Sequence, residues 1–211
     1  MDPSASALIR PFQSFERLTV RQRKNWTEIL LSFEMRNRYE VFDQSRMPVL
    51  RAQEVGSGAL ELLARLFLGP MRPFRMEIVE LPSEQVLLRL RRPFRFWLSV
   101  LEVSGPGGQP FGTIRQRWSW FRRIYEIEDH VTGERMEVFG PFFRPWTFEL
   151  RRHGQTMGAI RKRWSGLGKE LFTDADNFGV ELEMVPAPSL KALAFAATVL
   201  IDVVHFERSK N

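Results

Sequence analysis

The segment from Leu190 to Phe206, LKALAFAATVLIDVVHF, limits the possible folds more than any other part of the chain. It is rich in alanine and leucine, the strongest helix formers. As a helix it is apolar nearly all round, and such a helix is enclosed by protein or by lipid. Pro186-Ala-Pro188 ends the run before it, and Ser189 is placed to cap it. The uninterrupted apolar part, Ala192 to Ile201, is ten residues, whereas a bilayer span needs about 20. Lys191 and Asp202 bracket that part. They lie eleven residues apart, on one helix face, at the two ends of a rise of roughly 16 Å. These features favour a helix threaded through protein, with Lys191 and Asp202 reaching solvent at opposite mouths. Leu190, Leu193, Phe195, Val199, Leu200 and Val203 then supply the enclosed surface. A membrane span is the alternative.

The rest of the chain supplies strands to do the enclosing. Between about Phe15 and Val185 the pattern is mostly short runs of β-branched, aromatic or alternating apolar residues. Ile29 to Met35, Tyr39 to Phe42, Arg75 to Glu80 and Val86 to Leu90 are examples. Turn formers follow at short intervals, as in Asp43-Gln-Ser45, Leu81-Pro-Ser83, Gly105-Pro-Gly-Gly108, Thr132-Gly133 and His153-Gly154. About twelve such runs argue for a mainly β chain, a barrel or a sandwich; together with the all-round apolar helix they predict a closed antiparallel barrel around that C-terminal helix. Residues 1–10 read as a short polar tail. Residues 11–211 read as one domain that includes a helix over 189–206. Ala59 to Leu68 breaks the pattern as a short helix stopped by Gly69-Pro70. It is expected to plug one end of the barrel or to dip into a membrane.

An internal repeat supports a barrel built from related hairpins. Gly112-Thr-Ile-Arg-Gln-Arg-Trp-Ser119 and Gly158-Ala-Ile-Arg-Lys-Arg-Trp-Ser165 share six of eight residues at an offset of 46. Arg-Pro-Phe recurs at Arg10, Arg72 and Arg92. Strand alternation puts Arg115 and Arg117 on one face, and Arg161 and Arg163 on the equivalent face, with Ile114, Gln116 and Trp118 facing in. Trp118 and Trp164 therefore suit a core role. Arginine forks match phosphate oxygens, so the four arginines are candidate lipid-headgroup ligands. The alternative is a solvated exterior with ion pairs to Glu126, Glu128 and Glu149.

Composition excludes several chemistries. There is no cysteine, hence no disulfide, thiolate metal site, thiol nucleophile or S-acylation. His130, His153 and His205 are the histidines, and none is paired with a serine motif or a ligand-spaced partner. No phosphate-binding loop or nucleophile elbow occurs, so no enzyme is expected. The net charge is +6, with 26 Arg and 5 Lys. Such a charge suits anionic membranes or nucleic acid. Nucleic acid is the weaker of the two, resting on charge and tryptophan alone. The first ten residues lack the apolar stretch of a signal peptide, so a cytoplasmic protein, peripheral to or inserted in a membrane, is expected.

Arg163-Trp-Ser-Gly166, then Glu170-Leu-Phe-Thr-Asp-Ala-Asp-Asn-Phe-Gly179, then the apolar helix ending Leu200-Ile-Asp-Val-Val-His-Phe-Glu207, resembles the C-terminal half of the phospholipid scramblase family. Tyr39-Glu-Val-Phe-Asp43, Gly69-Pro-Met-Arg-Pro-Phe74 and Gly112-Thr-Ile extend the resemblance upstream, to about residues 25–207. The family in turn resembles the Tubby C-terminal domain and the LURP-one-related proteins. The resemblance implies a twelve-stranded barrel around a hydrophobic helix. It also implies calcium-stimulated, energy-independent movement of phospholipids between leaflets. The family's proline-rich N-terminal tail and cysteine cluster are not matched. The family's calcium segment falls on Asp174 to Val185, which has the outline of an EF-hand loop: Asp174 first, Asp176 third, Gly179 sixth. Phe178 and Val185 stand where oxygen ligands are usual. Asp174, Asp176 and Asn177 are therefore expected to form a weak calcium site at most, the alternative being an acidic β-turn.

Overall fold

The computed structural model describes residues 3–23, 38–55, 71–163 and 177–206. It contains helix α1 (Pro3–Gln13) and twelve strands: β1 (Arg17–Arg23), β2 (Arg38–Phe42), β3 (Pro48–Glu54), β4 (Phe74–Glu80), β5 (Val86–Arg92), β6 (Val100–Ser104), β7 (Pro110–Arg117), β8 (Arg123–Asp129), β9 (Arg135–Gly140), β10 (Thr147–Arg152), β11 (Gln155–Arg163) and β12 (Asn177–Glu181). Helix α2 (Pro188–Ile201) follows and runs on as one π-helical stretch, Asp202–Phe206. Every strand pairs antiparallel with its sequence neighbour, and β1 pairs with β12 to close the barrel. Closure leaves no free sheet edge. The expected strand at Ile29 to Met35 and the expected helix at Ala59 to Leu68 lie outside the described residues.

The strands alternate as a half-buried sheet requires. Leu18, Val20, Val41, Leu50, Ile78, Leu90, Ile127 and Val180 point inward and are buried. Barrel diameter grows with strand number, and eight strands leave room only for side chains. Twelve leave room for a helix, and α2 fills it. Every side chain from Ser189 to Ile201 is buried, as is Val203. Alanines at 192, 194, 196 and 197 keep the helix slim, while Leu193, Phe195 and Leu200 reach the wall. A window of 18 residues, Pro188–His205, is long and apolar enough to cross a membrane, yet 83% of it is buried inside the barrel.

Both repeat glycines mark close approaches. A Cβ on Gly112 would sit 2.7 Å from a Leu193 methyl and 2.8 Å from the Glu128 carbonyl oxygen. A Cβ on Gly158 would overlap the Glu181 carbonyl oxygen. Ile114 and Ile160, two residues on in each copy, are buried. The repeat therefore encodes one local geometry twice: a glycine where the chain is crowded, then an isoleucine into the core.

Three expectations are corrected. The segment expected as a polar tail is helical from Pro3, where α1 begins, and Leu8, Ile9 and Phe12 are buried on the inner face of that helix. α1 packs against α2 and closes that end of the barrel. Ser189 does not cap α2; the N-cap is Ala187, and the Ser189 hydroxyl donates to Asp129 Oδ2 at 2.5 Å. Asp129 also accepts from the Val131 amide and the Thr132 hydroxyl, so one buried carboxylate ties the β8–β9 turn to the start of α2. Lys191 and Asp202 do sit at opposite ends, but both are buried. Lys191 Nζ donates to the Phe15 carbonyl at 2.7 Å, and the Tyr39 hydroxyl donates to Asp202 Oδ2 at 2.7 Å. A polar group bound to protein at each end fixes the helix along the barrel axis more firmly than one left in water.

Shaving this helix tests the enclosure. Leu193→Ala should cost about 2–5 kcal/mol and Phe195→Ala about 3–5 kcal/mol in urea unfolding, the range for buried cavities. A cost below about 1 kcal/mol for both would mean that α2 is not the packed core.

Candidate functional site

The barrel wall, its two mouths and its connecting loops are the surfaces available for function. On the wall, most arginines are matched by glutamates. Arg115 pairs with Glu128 at 2.8 Å, Arg117 with Glu126 at 3.6 Å, and Arg135 spans the same two carboxylates. Arg161 pairs with Glu181, one strand over. The hydrogen bonds from Arg115 and Arg135 hold the Glu128 carboxyl below its usual pKa. β7 and β11 are four strands apart, so Arg115 and Arg117 are not brought together with Arg161 or Arg163. A phosphate arriving at any of the three paired arginines would compete with a carboxylate already present. Arg161 lines a shallow groove of about 450 Å³ with Arg144, but Glu149 and Glu181 line it too. The side chain of Arg163 lies outside the described residues.

Two Arg-Pro-Phe arginines are structural. Arg72 is buried in an ion pair with Glu54 at 2.6 Å, and Arg92 donates to the Arg72 carbonyl and the Ser99 hydroxyl. Arg10 is exposed.

Of the three expected calcium ligands only Asn177 lies in the described residues; Asp174 and Asp176 lie outside them, and Gly179, expected to make the sharp turn of the loop, is instead paired within β12, opposite Thr19 of β1 and Arg161 of β11. Asn177 opens β12, and its Oδ1 is buried without a hydrogen-bond donor. Among the described residues no three His, Asp or Glu side chains gather to hold a metal ion.

The mouth at the C-terminal end of α2 carries polar pairs that the sequence reading did not single out. Besides Tyr39 and Asp202, the buried Tyr125 hydroxyl lies 2.6 Å from His205 Nε2. An unprotonated Nε2 accepts from that hydroxyl. Burial raises the Tyr125 pKa well above its usual value. Burial, with Arg123 adding repulsion, lowers the His205 pKa to about 4. Arg123 itself stacks over Phe148, 4.5 Å from the ring centroid.

Trp118 corrects a core expectation. The parity holds for Ile114 and Gln116, but β7 ends at Arg117, so the next residue leaves the barrel and Trp118 is exposed. Trp164 lies outside the described residues. Phe94, Phe96, Trp97, Trp120, Phe121, Phe142, Phe143 and Trp146 are exposed as well. Clustered aromatic residues in short connections that each carry an arginine (PFRFW, WSWFR, PFFRPW) are the sequence signal for them.

The described residues define a closed twelve-stranded antiparallel barrel wrapped on an apolar helix, with cross-strand arginine–glutamate pairs on its wall. The chain belongs to the scramblase family, whose model matches residues 2–208. It is 29% identical over 210 residues to "Phospholipid scramblase 2" of Bos taurus, covering 93% of this chain and 70% of that protein. It is 30% identical to "Phospholipid scramblase 1" of Mus musculus, covering 93% of this chain and 62% of that protein. The yeast "Altered inheritance rate of mitochondria protein 25" is 24% identical, over 98% of this chain and 74% of its own length. No solved structure matches the chain. The family is one of lipid transport rather than catalysis.

The Tyr125–His205 pair predicts a pH dependence. The unfolded chain takes up a proton at His205 near pH 6.5, the folded chain only near pH 4. The contribution to stability is thus full above pH 6.5 and is lost as pH falls toward 4, by up to about 3 kcal/mol. Urea unfolding at about pH 7 and about pH 4.5 should show this loss, and His205→Gln should remove part of it. An identical pH slope in the variant would contradict the assignment.

Proposed function

We propose that this chain moves phospholipids between the leaflets of a membrane without an energy source, acting from a barrel that binds anionic lipid surfaces. Membership of the scramblase family along nearly its whole length is the observation that carries the reading. The +6 charge supports an anionic surface as the preferred one. A second reading is a lipid-binding barrel without transport. It is favoured by the burial of α2 inside the barrel, which leaves the most membrane-like segment occupied with protein.

One preparation separates the two. Vesicles carrying a fluorescent lipid are made with the protein and treated with dithionite, which bleaches only outer-leaflet label. Transport predicts bleaching beyond the outer-leaflet half. Flotation with vesicles but no extra bleaching selects the binding reading, and absence from the vesicles contradicts both. Binding should weaken with salt, because exposed charges are screened over about 8 Å at physiological ionic strength.

Calcium, on this reading, binds weakly through Asp174, Asp176 and Asn177. The buried, donor-free Asn177 Oδ1 fits an oxygen ligand at that end of the segment. Bound calcium would supply positive charge beside acidic side chains, where a lipid phosphate could use it. The absent acidic group at Val185 and the apolar Phe178 remove the ligands that make such loops tight. Calorimetry should give a dissociation constant of about 10⁻⁴–10⁻³ M, lost in Asp174→Ala/Asp176→Ala. Micromolar binding, or a signal unchanged by the double substitution, would contradict this placement.

A further inference from the structure

Among the described residues, the two ends of the barrel differ in chemistry. The connections 93–99, 118–122 and 141–146, which join β5 to β6, β7 to β8 and β9 to β10, all lie at one end, because every strand is antiparallel to its neighbours. It is the end where α2 finishes, beside Tyr39 and Tyr125. The tips carry Trp97 at 86% exposure, Trp120 at 80% and Phe143 at 92%. Trp118 and Trp120 stack edge to face at 5.3 Å, and Phe121 meets Phe142 across two connections at 6.0 Å. Each connection also bears one exposed arginine (Arg95, Arg122 or Arg144), and the three contain no acidic residue. None of these arginines forms an ion pair among the described residues. The turns at the other end carry Asp43, Glu84, Glu134 and Glu183 against one arginine, Arg46.

The aromatic tips are held in place. Ser99 is fixed on both sides: its carbonyl accepts from the Gln116 amide and its own amide donates to Gln116 Oε1. Arg92 reaches the Ser99 hydroxyl. The 141–146 connection is closed by turn hydrogen bonds from Arg144 to Pro141 and from Thr147 to Arg144. An exposed apolar patch of this size marks a protein or a membrane contact. Tryptophan and phenylalanine on separate tips, each with an arginine beside it, suit the bilayer interface. There rings sit at headgroup depth and guanidinium groups meet lipid phosphates. On the described wall most arginines are matched by glutamates instead, as Arg115 is by Glu128 and Arg161 by Glu181.

We propose that this rim, the connections 93–99, 118–122 and 141–146, is the surface by which the barrel docks on an anionic phospholipid bilayer, with Trp97, Trp120 and Phe143 entering the interface and Arg95, Arg122 and Arg144 binding phosphate. The proposal rests on the membrane reading above and specifies where contact is made. The acidic end, with α1 across it, faces away from the lipid.

The test is flotation on vesicles of phosphatidylcholine containing one-third phosphatidylserine. It compares the full chain, the triple variant Trp97→Ser/Trp120→Ser/Phe143→Ser, and Met47→Ser/Met184→Ser, which removes exposed apolar side chains from the acidic end. All substituted side chains are exposed, so the fold should persist, and unchanged unfolding midpoints check this. The rim triple should lower the bound fraction about tenfold or more, while the methionine pair leaves it unchanged. The triple Arg95→Gln/Arg122→Gln/Arg144→Gln should remove the preference for phosphatidylserine. If the unaltered chain stays off the vesicles, the membrane reading itself fails. If it floats and the aromatic triple floats equally, the rim assignment is overturned and the membrane reading stands. Equal losses in the triple and the methionine pair overturn it too. So does a rim variant that changes only the oligomeric mass in solution, which would make the rim a contact between copies of this chain.

Discussion

The packing of α2 against the inner wall of the barrel is the contact on which everything else depends. Leu193, Phe195 and Leu200 of the helix share one buried apolar cluster with Leu18, Val20 and Ile114 of the strands and with Ile9 and Phe12 of α1. Each such side chain contributes about 1.5–3 kcal/mol by burial. Withdrawal of the helix would expose both partners together. Buried polar groups fix it lengthwise: Ser189 on Asp129 and Lys191 on the Phe15 carbonyl at one end, Asp202 on Tyr39 at the other. The barrel and a membrane span are competing uses of one segment, and the fold uses it as core. With the interior filled, lipid has no path through the barrel while α2 is in place. Any action on a membrane then belongs to the outside.

On the outside, charge is divided between wall and ends. Cross-strand arginine–glutamate pairs such as Arg115–Glu128 and Arg91–Glu102 neutralise the wall locally. Exposed pairs of this kind add little stability, but they leave few arginines free to attract an anion. Positive charge without a matching carboxylate then gathers where the strands stop. The aromatic residues gather there as well, because alternation no longer dictates which way a side chain points. Among the described residues the wall is largely self-paired, the turns at one end are acidic, and the connections 93–99, 118–122 and 141–146 are basic and aromatic, an asymmetry that a negatively charged surface orients before contact.

Much of this architecture is legible in the residues. An all-round apolar helix beside a dozen short alternating runs leaves few ways to satisfy both, and the barrel with a threaded helix is the one observed. What escaped the reading is what alternation and polarity cannot encode. Leu8, Ile9 and Phe12 form an apolar face on a segment whose average is polar, so α1 read as a tail. Trp118 follows the inward parity of β7 in sequence, but the strand ends one residue earlier. Alternation alone places Arg115, Arg117 and Arg161 on the outward face, where they lie. The glutamates that occupy them sit on neighbouring strands, a matter of register that spacing along one strand does not reveal. The polar ends of α2 were likewise read as solvent-seeking, because their partners, Phe15 and Tyr39, are more than 150 residues away in sequence.

The central claim is that the barrel meets lipid with its rim while α2 stays inside. The most direct measurement is photolabelling of the vesicle-bound, unaltered chain with phospholipids carrying a diazirine in the acyl chain, followed by peptide mapping. Docking through the rim predicts labelling in the connections 93–99, 118–122 and 141–146, and none between Leu190 and Val203. Labelling of the Leu190–Val203 segment by acyl chains would show that the helix leaves the barrel for the bilayer, and would contradict it.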